Sequence, residues 1–434
     1  FAPGDGDAWP ALFEEWERIG DAVLRSLLST FPPVRGGLDL VRALGSSAEL
    51  LRFMRFGVLP VRRLAEERFT GEGARLLLAG NALHSDLTPE SALSGLFGWL
   101  LAMLGQDVGF PVPEGGAERL IDALVARLRS RGGQVRCEAR VAGIVVDDGR
   151  ATGVRLADGG VVRARHAVLA DVPAPALYRS MIAPEHLPPR LLRDLEAFQW
   201  DNGTVKVDWA LSTPVPWTQP EVRGSGTVHL GADLDGLTRY GASLAMGEVP
   251  ERPFMLFGQM ATADPTRCPP GTEVAWGYTH VPWGAPMTGD DVQRVVDRME
   301  AALERAAPGF TGSILGRYVA GPAQLQATNP SLVHGAINSG TTAMHQQLFF
   351  RPVPGMGRPE TPIRGLYLAS ASAHPGGGVH GACGANAARV ALARRRPHGA
   401  VVDTGLHWAL RRLYRESPGL PAAHPRQALP ADAD

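Results

Sequence analysis

From Asp7 onward, apolar Leu12, Trp16, Ile19, Val23 and Leu27 recur at three- and four-residue steps, the spacing of one helix face, up to the Pro32-Pro33 pair. Helical spacing continues to about Leu104 without any two-residue alternation, so this stretch predicts a helical layer whose apolar faces need a partner surface. After Pro113-Glu114-Gly115-Gly116, the positions Leu120, Leu124 and Leu128 predict a helix ending near Arg131, with Gly132-Gly133 as its C-terminal cap. Val135 is expected to open a strand. Val141–Val146, Thr152–Leu156 and Val161–Ala164 then read as a meander turned at Asp148-Gly149 and Asp158-Gly159, and Ala167–Ala170 as a short buried strand. Past Pro173 and Pro175 the period changes to two over Val205–Trp209, Phe254–Met260 and Glu273–Tyr278, which predicts an antiparallel sheet with one buried face and a helix over about 290–306 beside it. Beyond Arg415 the chain is rich in Pro and Ala and is expected to be disordered. No internal repeat is present.

Composition narrows the function. The 434 residues are 44% apolar, enough for two domain cores. A formal net charge of −1 supplies no basic excess for phosphate backbones, which argues against a nucleic-acid partner. The longest apolar stretch, Leu93–Leu104, is interrupted by glycine and too short to span a bilayer. Cys137, Cys268 and Cys383 are odd in number and far apart, so neither a disulfide framework nor a zinc site is encoded, and a reducing cytoplasm is expected. The opening Phe1-Ala2-Pro3-Gly4 has no signal-peptide pattern and reads as the interior of a longer ancestral protein. Lys206 is the only lysine in a chain that otherwise uses arginine.

The strongest local signal lies near the C-terminus. Gly365–Ser370 reads as a buried strand that runs through Ala371–His374 into Pro375-Gly376-Gly377-Gly378-Val379-His380-Gly381 and then a helix over Asn386–Arg395. Five glycines in the nine residues 376–384 exceed what a plain turn needs. A side-chain-poor bend lets backbone approach a ligand, and a helix N-terminus offers unpaired N–H groups to an electron-rich atom.

This segment resembles the C-terminal cofactor-binding signature of the phytoene desaturase-like flavoproteins. Further matches run in the family's order through Leu78–Ser85, Gly109–Gly116, Val205–Leu211, Asn329–Gly335 and Gln347–Pro354. The resemblance implies an α/β fold with two dinucleotide-binding domains, a mixed or antiparallel substrate sheet with helices, and FAD as cofactor. It implies a helical part of the substrate domain at 1–105, a partial FAD-binding domain at 106–180, and the substrate sheet at 181–355. The FAD-binding return falls at 356–400, and a helix and tail at 401–434. Carried over, Gly115 and Gly116 lie near the flavin ring, Val141 bonds adenine through its backbone, and Ala170 and Asp171 close the sheet beside the cofactor. Ser370, Ala371, Gly376, Gly377, Gly378, Val379 and His380 form the C-terminal cofactor contact. Ala371 departs from the acidic residue that many relatives place there.

The family's glycine loop, which seats the pyrophosphate on a helix N-terminus, has no counterpart in this chain, so its first βαβ unit is missing. Each charge-assisted bond to phosphate contributes ~1.5–3 kcal/mol, so losing two or three weakens FAD binding by roughly three orders of magnitude or more. For catalysis, His374 and His380 beside the bend and Lys206 on a sheet face are the candidates. Without a Cys-x-x-Cys, disulfide reduction is not expected. The leading reading is an FAD-dependent dehydrogenase or desaturase that transfers hydride from an apolar, carotenoid- or lipid-like substrate, with room for peripheral membrane contact. Its rival is a flavin-free homologue acting as a binding or regulatory protein. An amine oxidase on the same fold ranks third, because the C-terminal signature follows the desaturase-like pattern. Substrate identity, electron acceptor and oligomeric state are not encoded in any motif.

Overall fold

The structure, a computed structural model, describes residues 2–396 and 399–414. Seven helices open it: α1 Asp5–Leu28, α2 Val34–Leu44, α3 Ser47–Val58, α4 Val61–Arg68, α5 Glu72–Leu83, α6 Ser94–Asp107 and α7 Glu118–Arg129. Strands β1 Val141–Asp147, β2 Arg150–Leu156, β3 Val161–Arg163 and β4 Val168–Ala170 follow, then α8 Ala174–Ser180 and α9 Pro189–Glu196. The next stretch holds β5 Gly203–Leu211, β6 Thr227–Leu230, α10 Leu234–Met246, β7 Met255–Gln259, α11 Met260–Ala263, β8 Glu273–Val281, α12 Gly289–Ala306, β9 Ile314–Ala320 and α13 Pro322–Thr328. The chain returns through β10 Leu366–Leu368, α14 Ala382–Arg394 and α15 Gly399–Leu413. The disorder expected from Arg415 falls outside the described residues.

The chain divides into two compact units. Unit 1 comprises Phe1–Trp16, Leu51–Cys137 and Asn202–Ile337. Its sheet has the order β6-β7-β8-β5-β9 with every neighbouring pair antiparallel. The alternation of β5 turns Val205, Val207, Trp209 and Leu211 to one face, where they pack with Met255, Phe257, Val295, Val296, Met299 and Leu303. Those last four residues recur along one face of α12, whose start is fixed by a reciprocal capping box between Thr288 and Asp291. Glu300, buried beneath, accepts bonds from Trp209 Nε1 (2.9 Å) and Arg317 (2.6 Å). In the helical part, Trp99 stands edge-on to Trp16 at 5.4 Å, and Val61 N–H donates to Ser94 Oγ at 2.7 Å.

Unit 2 comprises Glu17–Leu50, Glu138–Asp201 and Asn338–Asp434. Strands β1-β2-β3 form the antiparallel meander, and β4 pairs in parallel with β10, Leu366 opposite Val168 and Leu368 opposite Ala170. One core gathers Leu177, Tyr178, Leu191, Leu195, Val353, Ile363, Leu366 and Leu368. A smaller cluster packs Tyr367 and Ala369 against Ala387 and Val390 of α14.

The expected fold class holds. Among the described residues no strand precedes β1, so a helix-rich start and a mixed-sheet substrate region match the two-dinucleotide-binding flavoprotein fold without its first βαβ unit. Two local expectations are corrected. No strand opens at Val135, because a strand needs a ladder partner and none of the described residues pairs there. Helix α7 forms as expected but buries none of its residues, leaving Leu120, Ile121, Leu124 and Leu128 exposed. The last helix begins at Ala382 rather than Asn386: Gly381 takes the left-handed conformation before the first turn (φ 62°), and Asn386 lies inside, donating to the Leu28 carbonyl at 3.1 Å.

Candidate functional site: a glycine bend in unit 2 and a sheet face in unit 1

In unit 2 the parallel pair β4/β10 delivers Ala170-Asp171 and Ser370-Ala371 from adjacent strand ends. Ser370 and Ala371 face inward to the protein. Ser370 Oγ accepts the Ser372 amide at 3.2 Å, and the Ala371 carbonyl accepts two bonds from Arg351 at 2.9 and 2.7 Å. Ser372 Oγ donates to the Ser339 carbonyl (2.8 Å) and accepts the Ala174 amide (3.0 Å), tying the bend to α8 and to the 338–341 loop. Asp171 is exposed on its own surface, yet the protein around it desolvates the carboxyl enough to raise its pKa. Val141 begins β1 opposite Leu156, with a bulge between it and Gly143.

The glycines of the bend divide by cause. Gly376 and Gly378 have φ of 112° and 146°, which side chains rarely adopt, and a Cβ on Gly377 would come within 2.8 Å of Asn338 Oδ1. These three are required by the protein's own packing. Gly381 and Gly384 are different: a Cβ on either would meet nothing within 4 Å, so packing requires neither glycine, although the left-handed backbone of Gly381 (φ 62°) does, and only Gly384 is free of both constraints. Residues 377–381 are exposed, and Val379 at the tip is 96% exposed. The bend therefore presents bare backbone and one apolar side chain, followed by the first turn of α14, where Cys383 and Gly384 amides have no intrahelical partner.

What holds the bend is a buried cation that the sequence reading passed over. Arg351 is fully buried (0% exposed) and donates to four backbone carbonyls: Ala371, Thr341 (2.8 Å), Asn338 (3.2 Å) and Gly340 (3.3 Å). Burial pulls its pKa down to about 10. On the other side of the same loop, buried Asp201 accepts the amides of Asn338 (2.7 Å) and Gly340 (2.9 Å). The loop 338–341 is thus clamped between a cation on its carbonyls and an anion on its amides. A charged residue inside the apolar run Leu348-Phe349-Phe350-Arg351 was the available signal.

Both candidate histidines belong to this unit. His374 is 3% exposed, and neither ring nitrogen has a hydrogen-bond partner. Burial pushes its pKa down to about 4; the nearby Ser29 backbone opposes this most, followed by Leu27, while Arg351 and His380 add repulsion, and neither backbone reaches hydrogen-bond geometry. His380 is exposed, and its Nδ1 accepts the Ala382 amide at 3.0 Å. That bond places the ring proton on Nε2. Cys383, buried, donates to the carbonyls of Ala373 (3.5 Å) and Gly376 (3.4 Å), and burial raises its thiol pKa.

Gly115, Gly116 and Lys206 lie in unit 1. The Gly115 amide donates to Asp264 at 2.7 Å, and a Cβ on Gly116 (φ 105°) would fall 1.9 Å from the Arg267 guanidinium, so this turn is built against the 264–267 segment. Lys206 is ion-paired with Asp208, two residues on and on the same sheet face. That face also carries His229, Tyr278 and Trp276, which the sequence reading did not select. Among the described residues no cluster of histidine, cysteine and carboxylate groups could hold a metal ion, and no helix is long and apolar enough to cross a membrane.

Parallel strand ends, a side-chain-poor bend and an open helix N-terminus in one unit, with an antiparallel sheet in the other, define the dinucleotide-binding class of flavoproteins. A family model for flavin containing amine oxidoreductases matches residues 5–392, and the chain belongs to that family. It is 29% identical over 386 residues to the mouse pyridine nucleotide-disulfide oxidoreductase domain-containing protein 2, covering 85% of this chain and 65% of that protein. It is 28% identical over 276 residues to a lycopene-forming phytoene desaturase of Paracoccus sp., covering 62% of this chain and 52% of that protein. The chain therefore spans less than two thirds of the length of these relatives. The fold is similar to that of an oxidoreductase from Methanosarcina mazei (TM-score 0.50, 16% identity, 85% of this chain and 74% of that one). It is also similar to that of a redesigned putrescine oxidase (TM-score 0.53, 12% identity, 90% and 76%). The matched family and the curated desaturases together define one superfamily of FAD-dependent oxidoreductases, within which this match does not separate an amine-oxidase from a desaturase-like branch.

The residues present fit one end of a flavin and not the other. Buried His374 with two unpartnered nitrogens, Gly381 and Gly384 facing open space, and the open first turn of α14 suit a planar ring with hydrogen-bonding edges. For the pyrophosphate, no strand–glycine loop–helix unit occurs before β1 among the described residues.

Proposed function

We propose that this chain is the substrate-handling and flavin-ring-binding part of an FAD-dependent oxidoreductase that removes hydride from an apolar substrate of carotenoid or lipid type. The observation that carries the reading is the exposed bend 377–381 running into the unblocked amides of α14, beside a buried histidine with no partner. Bound flavin supplies the two-electron acceptor that no side chain of the protein provides. The first turn of α14 offers N–H groups to the electron-rich edge of the ring, and His380 Nε2 and His374 offer hydrogen bonds beside it. Gly115, Gly116, Val141, Ala170, Asp171, Ser370, Ala371, Gly376–Gly378 and Val379 are proposed cofactor contacts. Lys206, held by Asp208, is proposed as the charged group on the substrate side. Peripheral membrane contact and a cytoplasmic location belong to the same reading.

Gly384 gives a clean test, because a Cβ there meets no neighbouring atom within 4 Å. Replacing a helical glycine also favours the fold by roughly 0.5–1 kcal/mol. Gly384→Leu should therefore keep or raise thermal stability while weakening riboflavin binding, read by quenching of flavin fluorescence, by about tenfold or more. Unchanged riboflavin binding in a stable variant would defeat the assignment. A second reading, a flavin-free binding protein, is favoured by the packing role of Gly376–Gly378, and it predicts that neither riboflavin nor FAD binds under any condition.

A further inference from the structure

The outer face of the unit 1 sheet differs in chemistry from its core face. The pairing register sets one row across the strands as His229, Leu256, Tyr278, Lys206 and Ala320. The next row is Thr227, Gly258, Trp276, Asp208 and Tyr318. Above the first row, His84 from the end of α5 stands edge-on to His229 at 4.9 Å. His280, one step along β8, stands edge-on to Tyr278 at 5.7 Å. The Trp276 and Tyr278 rings lie nearly parallel at 6.1 Å and 10°. A Cβ on Gly258 would sit 2.3 Å from the Trp276 ring, so the glycine lets the indole lie flat on the neighbouring strand.

The hydrogen-bonding capacity of this face is largely unspent. Trp276 Nε1, Tyr278 Oη and the ring nitrogens of His84 and His229 have no hydrogen-bond partner among the described residues. Trp209 and Trp217 on the core face, by contrast, donate to Glu300 and Gln259. His84 is exposed, and His229, Trp276 and Tyr278 are half-buried, so the groups are reachable. Formal charge on the face is already cancelled, because Lys206 is paired with Asp208. Asp86 beside it spends its oxygens on the amide and side chain of Asn202, at 3.1 and 2.7 Å. No free carboxylate therefore waits for an ammonium group on these rows, and no free guanidinium for a carboxylate.

We infer that this face binds the uncharged oxygen function, hydroxyl or carbonyl, of an otherwise apolar small molecule, with Trp276 and Tyr278 supplying a flat apolar floor and Tyr278, His229 and His84 the hydrogen bonds. The inference rests on unit 1 being the substrate-handling unit and narrows its substrate from a pure hydrocarbon to an oxygenated apolar compound. Neutral imidazoles suit such a group because each can donate through one nitrogen and accept through the other.

Octanol, methyl hexyl ketone, octylamine and octanoate, titrated calorimetrically into the full chain without flavin, test this directly. The alcohol and ketone should bind about tenfold or more tightly than the amine and the acid. The Tyr278→Phe/His229→Gln double variant breaks no internal hydrogen bond, so it should unfold at the wild-type temperature. It should also lose about tenfold in octanol affinity, the worth of one or two neutral hydrogen bonds. Tighter binding of octylamine or octanoate, an undiminished octanol affinity in the folded variant, or no binding of any probe would overturn the inference. Flavin is absent from the assay, so octanol selectivity in a chain that never binds riboflavin would sink the oxidoreductase reading alone. Riboflavin binding without octanol selectivity would sink this inference alone.

Discussion

Protonating His374 should destabilise unit 2, and the size of the effect follows from its surroundings. The imidazole is buried, has no hydrogen-bond partner, and shares its neighbourhood with the Arg351 cation, so its folded pKa lies at about 4 against an ordinary value of 6.5. The folded state binds its proton less readily than the unfolded state, so stability contributed by neutral His374 is fully present above pH 6.5 and is lost as pH falls toward 4. A depression of roughly 2.5 units at 1.36 kcal/mol per unit gives a loss of about 3 kcal/mol between pH 7 and pH 4. Burial dominates and the side chain is almost inaccessible, so solvent screening takes little from this figure. Urea unfolding at half-unit pH steps, for wild type and His374→Phe, isolates the contribution, because other titrating groups such as His229 act equally in both proteins. The wild type should lose about 3 kcal/mol more than the variant over that range. Parallel pH profiles would mean that the histidine has a partner or open solvent in the folded state, and its place in the ligand site would fall with it.

Three further outcomes follow from the same geometry. Arg351→Met should cost about 3–5 kcal/mol, since it leaves several buried carbonyls unpaired at about 1–3 kcal/mol each, with Arg351→Lys intermediate because one ammonium replaces a five-donor guanidinium; thermal unfolding checks the order. Glu360→Gln should destabilise by a similar about 3–5 kcal/mol, since Glu360 is buried and accepts from Arg394 at 2.5 Å and Arg358 at 3.1 Å, and equal unfolding midpoints in denaturant would refute this. Lys206→Met should change stability by less than about 1 kcal/mol, because the Lys206–Asp208 pair is partly exposed. A larger loss in chemical denaturation would show that the pair holds the sheet rather than serving the face.

Much of this architecture is legible along the chain wherever one face of an element is buried against its own neighbours. The meander at β1–β3 and the strands β5, β7 and β8 follow from two-residue alternation and Asp-Gly turns, and α12 from its cap and apolar stripe. Strands β6 and β9 escape because they are the edge strands of the sheet, whose pattern is set by the strands beside them. The strand expected at Val135 fails for the converse reason: local propensity cannot make a strand without a partner. At the site, glycine density pointed to the bend, yet glycine spacing alone cannot separate Gly376–Gly378 and Gly381, fixed by φ or packing, from Gly384, which faces open space. Arg351 and the Trp276–Tyr278 face were hidden because their meaning lies in contacts between segments far apart in sequence, and only the register of β5, β8 and β7 puts the unpaired groups in rows.

The central claim is that this chain carries the ring-binding end of a flavin site and lacks the pyrophosphate-binding end. Titration of the 434-residue chain with FAD, followed by flavin absorbance and fluorescence, tests it most directly when done alone and then with a separately produced strand–glycine loop–helix segment of the family type. Weak or undetectable binding alone, rising by about three orders of magnitude with the segment, is the expected result. A stoichiometric yellow protein from the chain alone, or no gain when the segment is added, would contradict the account.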